Sequence, residues 1–111
     1  MFSLRFFLPL LSSLVIFTSA TRAATESDIT RLSSYAVMLG QAVGCGLSTS
    51  SQASRVSEWM DRHFAPGSVD RQMYLPTFSA GVRESARRQS QGQSSVDCDT
   101  VREQFALVDW P

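Results

Sequence analysis

The stretch Ile29–Leu47, ITRLSSYAVMLGQAVGCGL, decides the fold class. At 100° per residue, Ile29, Leu32, Ala36, Leu39, Val43 and Leu47 fall in one stripe, with steps of 3, 4, 3, 4 and 4. Tyr35, Met38, Ala42 and Cys45 form a second stripe nearly opposite, separated from the first by narrow polar seams at Thr30, Ser33, Ser34 and Gln41. A helix that is apolar on two sides must be covered on two sides. This one is therefore expected at the centre of an all-α domain.

The segment also carries Gly40, Gly44 and Gly46. A glycine inside a helix costs about 1 kcal/mol relative to alanine, so Gly40 and Gly44 point to a neighbouring element that approaches closely. Gly46 reads as the helix stop. The four-residue glycine spacing resembles a membrane dimerisation motif, but Arg31, Ser33, Ser34 and Gln41 make the segment too polar to span a bilayer.

Upstream, residues 1–23 read as a secretory signal. Arg5 is a short positive region, Phe6 to Phe17 is an apolar run broken by Pro9 and Ser12-Ser13, and small residues follow at Thr18, Ser19 and Ala20. Cleavage after Ala20 or Ala23 is expected. A membrane anchor is the rival reading, but the run falls short of the ~20 residues a spanning helix needs. No cysteine stands at the expected cut, which argues against a lipoprotein. Residues 24–111 are then a single small helical domain.

All ten basic residues of the 111-residue chain are arginine, and neither lysine nor asparagine occurs. Lysine and asparagine codons are AT-rich, so a GC-rich, bacterial genome is the expected source. Removing the signal takes away Arg5 and Arg22 but no acid, which leaves the domain slightly acidic. Electrostatic binding to nucleic acid or to an anionic membrane is not expected. The expected location is the periplasm or the medium, with another exported or envelope protein as partner.

The two cysteines, Cys45 and Cys98, suit an exported protein as one disulfide. In the chain-entropy model a bridge closing about fifty residues is worth roughly 4 kcal/mol. Intermolecular pairing, a redox pair and metal ligation are the alternatives. There is no C-x-x-C, and His63 alone would have to complete a metal set. No cofactor or metal is expected.

Downstream, Thr25 or Ser27 is a candidate cap for the first helix, and Thr49 with Gln52 fits a capping box for the second. That second helix places Ala53, Val56, Met60 and Phe64 on one face, with Trp59 and His63 beside them, and ends at Ala65-Pro66-Gly67. Pro76 disfavours a helical Leu75, so a helical turn over 68–75 followed by a break or kink is expected. The pattern recovers from Thr77 through Phe78, Val82 and Ala86. A fourth helix is expected to open at Ser94 or Ser95. An up-down four-helix bundle puts Cys45 and Cys98 at one end of the molecule, and short connections favour the same arrangement.

No catalytic constellation stands out, and a non-enzymatic protein is expected. Asp61 and His63 are two apart and do not face each other on a helix; no Gly-x-Ser-x-Gly elbow occurs. Two surfaces are candidates for binding. Trp59, Tyr74, Phe78 and Trp110 form the first, as an apolar, aromatic partner-binding groove around Pro76. Packing in the core is the heavier reading of those rings, because a small domain needs its aromatics inside. Arg83, Arg87 and Arg88 form the second, an anion-binding patch for a cell-wall component or small anionic ligand. Its rival is a solvated face on which Glu84 pairs with Arg88.

By size, signal, helical content and one long-range disulfide, the chain resembles the small helical acid-resistance chaperones of the bacterial periplasm. The resemblance is architectural and assigns no residue a role. It implies a stress chaperone, alongside an adaptor or assembly factor, as the kind of protein binder to expect.

Overall fold

The computed structural model describes residues 23–111; nearly all of the expected signal lies outside the described residues. Four helices follow in order: α1 (Glu26–Gly44), α2 (Ser50–His63), α3 (Val69–Ser90) and α4 (Cys98–Leu107). They form an all-α four-helix bundle, with no strand among the described residues.

Local chemistry sets most of the helix ends. Thr25 caps α1 in a capping box: its hydroxyl accepts from the Asp28 N–H at 3.1 Å, and the Thr25 N–H donates to Asp28 Oδ2 at 3.1 Å. At the other end Gly46 adopts φ +76°, the Leu47 N–H reaches the Ala42 carbonyl and the Gly46 N–H that of Val43, so the last carbonyls are satisfied in a Schellman motif. The capping box expected at Thr49 does not form, since the Thr49 side chain makes no capping bond. The last helix opens later than expected, at Cys98, because Asp97 and not Ser94 or Ser95 accepts the bond that caps it, from the Thr100 N–H.

The expected break near Leu75 is absent: α3 runs unbroken from Val69 to Ser90 with Pro76 inside it. Pro76 lacks the N–H that would bond the Gln72 carbonyl, but both residues are exposed, so water can serve that carbonyl. Tyr74 before the proline and Phe78 after it pack against one core cluster. Tertiary packing therefore keeps helical a segment that local preference would break.

α1 is the central helix, in contact with each of the other three, and its main partner is α3. The two are parallel. The Ala24 N–H bonds Asp70, a Cβ on Gly81 would touch that of Ala36, and Gly40 and Gly44 face Ser85 and Gln89 in the same order. A Cβ at Gly40 would sit 2.5 Å from both Ser85 Cβ and the Val82 carbonyl, and one at Gly44 2.6 Å from the Ala86 carbonyl. The glycines thus let backbones approach more closely than side chains permit. In a regular up-down bundle α1 and α3 would face each other across a diagonal; here that diagonal is collapsed.

The core joins Leu32, Tyr35 and Leu39 of α1 to Val56, Trp59 and Met60 of α2, with Phe64 and Trp110. Both apolar stripes of α1 are used, although Val43 stays 47% exposed. Ala53 is likewise exposed. Cys45 and Cys98 are bonded, with Cα atoms 5.6 Å apart, tying the end of α1 to the start of α4.

Candidate functional site

Beside the glycine seam a groove of about 310 Å³ opens between α1 and α3. Leu32, Ala36, Val37, Phe78 and Gly81 supply apolar lining, and Glu84 and Arg88 stand on its α3 wall. Gly81 is part of why it exists: the residue presents no side chain between Ala36 and Phe78. Two hollows adjoin it. One of about 350 Å³ continues past Gln41 to Arg88 and Ser94, and one of about 440 Å³ lies between α1 and α4 beside Met38 and Gln104. Val37, 45% exposed, borders all three. The α3–α1–α4 face is therefore ridged and open, whereas α2 backs the core.

Charge is organised around Glu84. It accepts from Arg87 through Nη2 at 2.6 Å and Nε at 3.1 Å, and from Arg88 Nε at 3.0 Å. Hydrogen bonds from Arg87, then from Arg88, hold the Glu84 carboxyl down at about 2, and the same contact raises Arg87. One carboxylate thus shares two guanidinium groups, which leaves this corner with a net positive charge. Arg83 takes no part. Five residues from Arg88, it lies about 140° around the helix, so Arg83, Arg87 and Arg88 do not converge on one ligand-sized site. The Glu84–Arg88 pair expected as their rival reading is present.

Of the four rings considered as a partner-binding surface, Trp59 and Trp110 follow the packing reading and are not available to a partner. Trp59 is 2% exposed and Trp110 7%. Trp59 lies edge-on to Tyr35, with ring centroids 5.4 Å apart, and stacks on His63 at 4.9 Å. Trp110 folds back to stack on Tyr35 at 5.6 Å, and Arg55 clamps the tail by donating to the Trp110 and Pro111 carbonyls. Burial of these rings is worth more to a small domain than display. Tyr74 is half-buried against Phe64 at 5.7 Å. Phe78, also half-buried, is the one ring of the four in the groove lining, and there it joins Arg88.

His63 closes α2 and turns to α1, its Nδ1 3.0 Å from Asp28 Oδ1, while Asp61 pairs with Arg71 at 2.9 Å. Burial works against the charged Asp28, but hydrogen bonds with Thr25 and then the neighbouring His63 outweigh it and lower the carboxyl. Asp28 already serves the α1 cap, so the pair acts as a clasp between helix ends. Nothing local marks the partnership, since its members are far apart in the chain. Among the described residues no three His, Cys, Asp or Glu side chains gather as a metal site.

No family model matches the chain, and no curated protein and no solved structure matches it. The fold and the groove together define its class, an all-α bundle tied by one disulfide, with an open apolar cleft on one face. No helix among the described residues is long and apolar enough to cross a membrane.

Proposed function

We propose that this is a small, non-enzymatic protein exported by a bacterium, which binds another protein through the α1/α3 groove as an adaptor, assembly factor or stress chaperone. The observation that carries the reading is an apolar cleft left open beside a fully used core: Val37 is 45% exposed at its edge and Phe78 lines it. In a domain whose other large rings are needed inside, an uncovered apolar cleft marks a surface that gains by being covered. Binding of an anion by Arg83, Arg87 and Arg88 is the weaker alternative, because Glu84 already neutralises one of the two arginines that lie together.

A photoreactive residue at Val37, in living cells that export the protein, tests the reading. A discrete adduct with one identified envelope protein is expected, absent when the same residue replaces Ser54 on the exposed side of α2. Equal labelling from both positions, or none from Val37, refutes it.

A further inference from the structure

The geometry points to one occupant for the α1/α3 groove: a partner helix of about three turns, antiparallel to both walls, carrying an acidic residue in its first turn against Arg88. This inference rests on the reading of the groove as a protein-binding surface and specifies what the surface takes.

The walls select a helix. Both are helices whose backbone groups bond within themselves, so the groove has no free edge along which an extended peptide could pair. A helix satisfies its own backbone and offers only side chains, which is what a cleft between two helices accepts. The α3 wall from Thr77 to Arg88 spans eleven steps, about 16 Å at 1.5 Å per residue. Three helical turns cover that length and supply apolar anchors at i, i+3 or i+4, and i+7.

Polarity follows from the parallel order of α1 and α3. Both walls end at the same place, α1 at Gly44 and α3 at Ser90, so two partial negative charges lie at the Arg88 end. A partner helix is favoured with its N-terminus there. First-turn positions of helices suit Asp and Glu, and Arg88 is placed to receive one: it gives Nε to Glu84 and no other hydrogen bond among the described residues. With Arg87 and Arg88 set against Glu84, the corner keeps a net positive charge for the incoming acid. The opposite end of the groove, at Leu32, Thr77 and Phe78, carries no charged lining residue.

Three synthetic peptides, acetylated and amidated, test this by fluorescence anisotropy with the oxidised protein. All carry the same aliphatic anchors; one has two Glu in its first turn, one has them in its last turn, and one has two Arg in its first turn. The first is expected to bind about fivefold more tightly than the second, and more tightly still than the third. Arg88→Gln is expected to erase the difference between the first two, and Val37→Gln, at an exposed position, to weaken all three. Equal affinities, a preference for the basic peptide, indifference to Val37→Gln or no binding by any peptide overturns the inference. Self-association in sedimentation that Val37→Gln abolishes assigns the groove to a second copy and overturns it as well. If the peptides fail while Val37 still crosslinks one envelope protein in cells, only the helix and its polarity are lost. If both fail, the protein-binding reading is lost too.

Discussion

Gly40 of α1 lies so close to Ser85 of α3 that a Cβ placed on it would stand 2.5 Å from the Ser85 Cβ and 2.5 Å from the Val82 carbonyl oxygen. Neither neighbour is the free end of a flexible side chain, so the helices themselves must part to admit a methyl group. Gly40→Ala gains about 1 kcal/mol of helix propensity and loses more through overpacking. A net destabilisation of about 2 kcal/mol is expected, read as a lower urea midpoint.

The disulfide is expected to carry a large share of stability. Cys45 and Cys98 are separated by 53 residues, and a loop of that size corresponds to about 4 kcal/mol in the chain-entropy model. Cys45→Ala with Cys98→Ala should lower unfolding free energy by roughly that amount, a shift that chemical denaturation will show. An undiminished midpoint would mean that the packing of α4 on α1 already holds the two ends together.

Removing Pro76 should stabilise the protein. It lies inside α3 and is exposed, and its ring costs the helix one backbone bond without contributing to the core. Pro76→Ala is expected to raise stability by about 2 kcal/mol, measured as a higher thermal midpoint. A loss of stability would show that Pro76 is itself needed to seat Tyr74 and Phe78.

Asp28 gives stability a dependence on pH. Its folded carboxyl titrates below its ordinary 3.8, despite partial burial, because the Thr25 hydrogen bonds and His63 favour the charged form. A depressed carboxyl stabilises the fold fully above the unfolded value, and the contribution fades as pH falls through the folded one. Asp28→Asn should cost about 1 kcal/mol at pH 7, as loss of a helix cap does. The difference from the parent protein should shrink below about pH 4, and denaturation at pH 7 and pH 3 compares the two. A gap that stays constant with pH would exclude Asp28 as the titrating group.

The tail is part of the fold. Trp110 is 7% exposed, stacks on Tyr35 and donates its Nε1–H to the Phe105 carbonyl at 3.3 Å. Trp110→Ala should cost about 3 kcal/mol. Arg55→Ala, which removes the clamp on the tail carbonyls, should cost about 1 kcal/mol. Native-state hydrogen exchange should show faster opening at Trp110 in the second variant without global unfolding.

What could be read from the chain alone was whatever acts within a few residues or has only one solution. The two apolar stripes of α1, a cap at one of two candidates, Thr25 or Ser27, and a stop at Gly46 are such features, and so is a disulfide in a chain with two cysteines. Gly40 and Gly44 also announced a close neighbour before that neighbour was known. Which neighbour it was, α3 running parallel, depended on contacts between segments distant in sequence, and no periodicity records those. For the same reason only the tertiary structure decided which of the four candidate rings the core takes whole, carried α3 as one helix through Pro76, and brought His63 to Asp28. It also brought Phe78 and Arg88, drawn from two separate candidate sites, into one groove. Local chemistry sets where helices begin and end; burial, summed over the whole domain, decides which of their faces meet and which stay open.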